Sequence, residues 1–255
     1  MNHSPAILVS PTLERMARVY ALSRAGGLNS PRFVAYRLQV ERHWGLAVFN
    51  PMAGDAAAAA VHALIGLQAE DIAAATASDM LALCDWHAPV TLAVVVATPG
   101  MWTDRLATEV RHRTHADRRD AHGEILLWAD DPPSVEAIAR ESIAEAVRTM
   151  WTSLHGATRS LHAVLAREGL AYALAGTAPP QQPNSLVVAE ALGVLGDTEA
   201  LGDIVAVLYG DGAAVTLGYT PLGLAERAGY GFASERAAAL IAGVGAAQAL
   251  RWGGT

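Results

Sequence analysis

Lysine is absent from this chain. All eighteen basic residues among its 255 are arginines. A GC-rich, bacterial genome would produce that bias, and the bias excludes chemistry: no lysine Schiff base, no P-loop lysine and no kinase-type lysine can operate here. Anions must be held by arginine, histidine, backbone N–H groups or helix N-termini. Cysteine is nearly absent too. Cys84 stands alone, which rules out an internal disulfide, a four-thiolate zinc site and an iron–sulfur cluster held by this chain. With no basic, cleavable segment in Met1 to Ser10, the expectation is a reducing, cytoplasmic compartment.

Charge is also scarce. Charged residues make up 17%, and the net charge is −7 with no basic block. A nucleic-acid partner, which needs a field that attracts phosphate, is not expected. The longest apolar run, Val90 to Ala97, is too short to span a bilayer, so no membrane partner is expected either. Half of the chain is apolar, enough to bury a core without staples. So little charge leaves surface for a subunit interface, which points to a homo-oligomer (a homodimer first) or to a subunit of a larger complex.

Periodicity gives most of the elements. Thr12 is placed to cap a helix with Leu13, Met16 and Tyr20 on one face, and Ser30-Pro31 to open another. Alanine-rich helices follow from Asp55 and over Ala69 to Leu83. Val90 to Ala97 reads as a strand covered on both faces. A helix is expected over Trp102 to His115, a strand over Glu124 to Trp128, and a long helix from Ser134 that continues through Leu165 to near Gly169. Further strands are expected at Leu46 to Phe49 and in a hairpin, Ile204 to Tyr209 and Ala213 to Tyr219, around Gly210-Asp211-Gly212. Ala233 to Leu250 closes the chain as a helix. The count is about five strands among seven or so helices: α+β, helix-rich, with a mostly antiparallel or mixed central sheet. One globular domain over 1–255 is expected, with a flexible loop at 176–185.

Four constellations can carry chemistry. Glu109, His112, His115 and His122 supply a carboxylate and three imidazoles, a donor set for zinc or a similar metal, although their spacing is not HExxH. Arg111, Arg113 and Arg118 in the same stretch can grip a phosphate or carboxylate. Arg148, Thr152, His155, Arg159 and His162 recur at helical steps and line either an anion pocket or the wet side of a helix. Cys84 and His87 offer a nucleophile and a base, or a small buried hydrophobe beside a loop.

Ala88-Pro89 ahead of the buried strand, Leu161 to Leu170 at a helix end, and Leu192-Gly193 through Ile204 to Gly210 resemble, in order and pattern, the flavin-dependent nitroreductase and azoline-oxidase superfamily over roughly residues 40 to 215. The resemblance implies a dimeric flavin-associated oxidoreductase of small molecules, or a degenerate relative. FMN would sit at the subunit interface, held by Arg111, Arg113 and Arg159. The paired N-terminal arginines with serine and the PSAGN-type stretch of that family have no counterpart here. Tyr209 to Ala214 also resembles the FGDGA turn of ketoacyl-synthase-like thiolase folds. Two further readings stand beside the flavin one: a non-catalytic binding or assembly subunit, and a metal-dependent hydrolase or lyase built on His112, His115 and His122.

Overall fold

The computed structural model describes residues 7–41, 49–100, 104–114, 122–177 and 185–252. Three strands, β1 (Ile7–Ser10), β2 (Val90–Ala97) and β3 (His122–Trp128), form one sheet in the order β1-β2-β3. Both pairings are parallel: Ile7 opposes Val90 and Ser10 opposes Ala93, while Thr91 opposes His122 and Ala97 opposes Trp128. The expected sheet of about five antiparallel or mixed strands is therefore corrected to three parallel ones among the described residues. Parallel neighbours need a crossover, and the helices supply it. α1 (Thr12–Tyr20), α2 (Pro31–Val40), α3 (Asp55–Gly66) and α4 (Ala69–Leu83) lie between β1 and β2, and α5 (Arg105–Thr114) lies between β2 and β3. The remaining helices are α6 (Val135–His155), α7 (Leu161–Leu174), α8 (Ser185–Leu195), α9 (Leu201–Tyr209), α10 (Asp211–Thr216), α11 (Ala228–Val244) and α12 (Ala246–Arg251).

The hairpin is the second correction. Both of its arms are helical, α9 and α10. The run Ile204 to Tyr209 is buried at every position, and a short, continuously buried apolar run reads the same in helix and strand. Its Asp-Gly does not turn a hairpin. Gly210, at φ +87°, breaks the helix, and the Asp211 carboxylate accepts the N–H groups of Leu222, Gly223 and Leu224, tying down the next loop. A third correction concerns the long helix: Gly156, at φ +77°, ends it, and Ser160 caps a new one by accepting from Ala163 N–H. The strand expected at Leu46 to Phe49 falls mostly outside the described residues, as do residues 178–184 of the expected loop.

The chain divides into two compact units. The first comprises Met1–Asp79, His87–Thr108 and His122–Ala146. Its centre is β2, whose residues are buried on both faces apart from Thr91. α1 and α3 pack on this strand. Thr12 does not cap α1 as expected; its hydroxyl donates to the Val94 carbonyl at 2.6 Å, while the Glu70 carboxylate accepts from Leu13 N–H at 2.9 Å. Ser30 and Ser134 do cap, accepting from Phe33 and Ala137 N–H.

The second unit comprises Met80–Trp86, Glu109–Ala121 and Val147–Thr255, and is helical where described. α7 and α11 form its most extensive helix pair. They approach closely because Gly169 has no side chain: a Cβ there would lie 2.5 Å from the Ala233 carbonyl oxygen.

Candidate functional site

Two features of the helical unit have the chemistry of a site. The first is ionic. α7 carries Arg167-Glu168 into the core, where Glu168 is fully buried. Arg148, from α6, faces it: Nε lies 3.1 Å from each carboxylate oxygen and Nη2 lies 2.9 Å from Oε2. Arg167 Nε donates to Oε1 at 3.0 Å. Burial alone would drive the Glu168 carboxyl up, but the charges of Arg148 and then Arg167, with the Arg148 hydrogen bonds, overcome it and hold the group down at about 2. The carboxylate therefore stays ionised across the physiological range.

Next to this triad the Tyr172 hydroxyl accepts from Arg113 Nη1 at 2.5 Å and from Arg227 Nη2 at 2.9 Å. Both guanidinium groups lie 5.4–6.0 Å from the ring centres of Tyr172 and Tyr230. Tyr230 donates to the Tyr209 hydroxyl at 3.0 Å. Burial pushes the Tyr209 hydroxyl up to about 12 and the Tyr230 hydroxyl well above its usual range, so both stay protonated. Arg167 also donates to the Arg113 carbonyl. The assembly is a buried polar core that joins residues of α5, α6, α7, α9 and α11 with Arg227, whose Nε is buried without a hydrogen-bond partner among the described residues.

The second feature is a cavity of about 320 Å³ on the other face of the α7–α11 pair. Its walls are Leu165, Ala166 and Leu170 from α7, Leu192 from α8, and Phe232, Ala233, Ala237 and Leu240 from α11. Its polar groups are His162 and Arg236, and Trp252 completes it. Arg236 is exposed, with its guanidinium 5.5 Å over the Phe232 ring. His162 stands at the first turn of α7, 3.8 Å from the Asp197 carboxylate. Gly196 packs against the imidazole so closely that a Cβ there would collide with the ring where it stands. The cavity is an apolar slot whose lining includes an exposed guanidinium and an exposed imidazole.

The residues singled out from sequence are distributed differently. Glu109, Arg111, His112 and Arg113 all lie on α5, with His112 buried and Arg111 exposed. His115 lies outside the described residues, and His122 opens β3 in the first unit, half-buried. Among the described residues no group of three or more His, Cys, Asp or Glu is placed to hold a metal ion. Arg111 and Arg113 are two apart on one helix and so face different sides. Arg113 is turned to Tyr172, and Arg159 is exposed in the link between α6 and α7. Nothing in these placements joins the three into one phosphate cradle for FMN. Arg148, read as lining either an anion pocket or the wet side of a helix, is buried on Glu168. His155 meets the Leu250 carbonyl at 2.9 Å. Burial raises the Cys84 thiol to about 11, against a smaller opposing pull from Arg251, and its hydrogen points to Met80 sulfur. That is a small buried hydrophobe, not a poised thiolate.

Sequence reasoning missed Phe232, Arg236, Leu240 and Trp252. The first three fall at i, i+4 and i+8 on one helix, a spacing visible in the sequence, but only the packing of α8 and Trp252 against that stripe makes it a cavity. No protein-family model, no curated protein and no solved structure matches this chain.

Proposed function

We propose that this protein binds a small amphipathic organic acid, an apolar tail carrying one carboxylate, in the α7–α11 cavity. The observation that carries the reading is the pairing of leucine and phenylalanine walls with Arg236 and His162 at the mouth. A volume near 320 Å³ lies at the small end of ligand sites, suited to a short-tailed acid rather than a large cofactor. The tail supplies affinity by leaving water, at about 25 cal/mol per Å² of apolar surface. The exposed Arg236 contributes little affinity and sets which end of the ligand faces out. For a ligand of octanoate size this amounts to about −4 to −7 kcal/mol, a dissociation constant on the order of 10 µM to 1 mM.

The reading is one of binding rather than turnover, and it falls beside the expectation of a non-catalytic binding subunit. Calorimetric titration of the whole chain with octanoate and with octanol tests it. Octanoate is expected to bind more tightly. Ala166→Phe, which fills the slot from α7, is expected to abolish binding of both, and Arg236→Gln to erase the preference for the acid while leaving octanol unchanged. Equal binding of both ligands by Ala166→Phe and by the unaltered chain would overturn the proposal.

A further inference from the structure

The α7–α11 cavity has two aromatic walls, and they come from different helices. Phe232 stands on α11 and Trp252 directly follows α12. Gly245, at φ +82°, ends α11, and α12 then packs against both α11 and α7. Contacts on the two residues ahead of Trp252 anchor the chain there. His155 Nε2 lies 2.9 Å from the Leu250 carbonyl oxygen, and Arg251 Nη2 donates to the Asp85 carbonyl at 3.1 Å and to its carboxylate at 3.2 Å. A tethered stretch of backbone therefore holds the indole at the cavity.

The indole itself is left uncovered. Trp128 and Trp151 are buried, whereas Trp252 is 54% exposed. An uncovered tryptophan forgoes the burial of about 150–250 Å² that such side chains reach in cores and interfaces. Neither Trp252 nor Phe232 pairs with another aromatic ring among the described residues. Two rings thus line one cavity without touching each other. The guanidinium of Arg236, on the same cavity, lies 5.5 Å over the Phe232 ring. Aromatic faces carry a quadrupole that aliphatic walls lack, so they favour a flat ring between them over a saturated one.

We infer, on the reading that this cavity takes an organic acid, that the acid is aromatic. Its ring lies against Trp252 and Phe232, and its carboxylate reaches Arg236 through a short linker. The linker is short because the guanidinium stands so close to the Phe232 ring. Trp252 is the residue that sets this specificity.

The test compares 3-phenylpropionate with 3-cyclohexylpropionate by calorimetry on the full chain. The two acids share a skeleton and a carboxylate. The saturated ring is bulkier and more apolar, so burial of surface alone favours it. The phenyl acid is nevertheless expected to bind about two- to tenfold more tightly. Trp252→Leu keeps an apolar wall on an exposed position; it is expected to erase that preference while still binding the cyclohexyl acid. In proton NMR the phenyl resonances are expected to shift upfield on binding the unaltered chain, and less on binding Trp252→Leu. Equal or tighter binding of the cyclohexyl acid by the unaltered chain would overturn the inference and leave the acid-binding reading standing. A phenyl preference that survives Trp252→Leu would do the same, as would octanoate binding with neither ring acid bound. No binding of any of the three acids would overturn the reading and the inference together.

Discussion

Two glutamates, Glu70 half-buried and Glu168 fully buried, respond to folding differently. Glu70 in the sheet-containing unit and Glu168 in the helical unit both lose water on folding, but only Glu168 gains cations for it. Burial raises the Glu70 carboxyl, and the hydrogen bonds from Leu13 N–H and Thr12 only partly offset that. Glu168 is held at about 2 by Arg148 and Arg167. Around Glu70 the core is a sheet of Val, Leu and Ala; around Glu168 it is arginine, tyrosine and one carboxylate. An apolar core tolerates change by degrees, because each methylene counts separately. An ionic core does not, because removing one member leaves the others buried and unpaired.

The largest expected effect follows from that difference. Glu168→Ala leaves Arg148 and Arg167 without their carboxylate and is expected to cost about 3–5 kcal/mol, read as a shift in the chemical-denaturation midpoint of the helical signal. Replacing Arg148, Arg167 and Glu168 together by Met, Met and Leu is expected to recover most of that loss; a triple variant as unstable as Glu168→Ala would show that the triad itself is not the source. Gly169→Ala forces a methyl against the Ala233 carbonyl, expected to cost about 1–3 kcal/mol in the same assay. In the sheet, Ile125→Val removes one fully buried methylene, expected to cost about 0.5–1.5 kcal/mol. If Ile125→Val proved as damaging as Glu168→Ala, the contrast between the two cores would fail.

Acid sharpens the comparison, because the two carboxyls respond with opposite sign. A depressed folded pKa contributes stability above the unfolded value and loses it as the pH falls through the folded one, so the Glu168 contribution declines between pH 4.5 and about 2. A raised folded pKa favours the protonated form, so the Glu70 contribution is present below pH 4.5 and is lost as pH rises through the folded value. Glu70→Gln is therefore expected to flatten the dependence above pH 4.5 and leave the acid limb below it intact, in melting followed by circular dichroism against pH. The smallest effect is at Cys84. With its thiol raised to about 11 and 1% exposed, native protein is expected to resist alkylation at pH 8 and to label only with denaturant, measured by mass.

How much of this was legible in the sequence depended on whether one strand or helix carried its own signal. β2 did: the run between Pro89 and Thr98-Pro99, rich in β-branched residues, reads as a strand covered on both faces, although its parallel pairing did not show. β1 did not, since Ile7 to Ser10 is four residues long with Leu8 exposed at the sheet edge. The hairpin failed because Asp211-Gly212 is a turn signal only if its flanks are strands, and wholly buried apolar flanks do not say which they are. The cavity stripe on α11 had a readable spacing but no reason in sequence to face α8.

The central claim is that the helical unit closes an apolar slot under a cationic mouth, and titrating octanoate against octanol into the unaltered chain and into Arg236→Gln tests it most directly. Tighter binding of octanoate by the unaltered chain, lost in Arg236→Gln while octanol binding stays the same, is the predicted result. No measurable heat with either ligand, or an acid preference that survives Arg236→Gln, would contradict it.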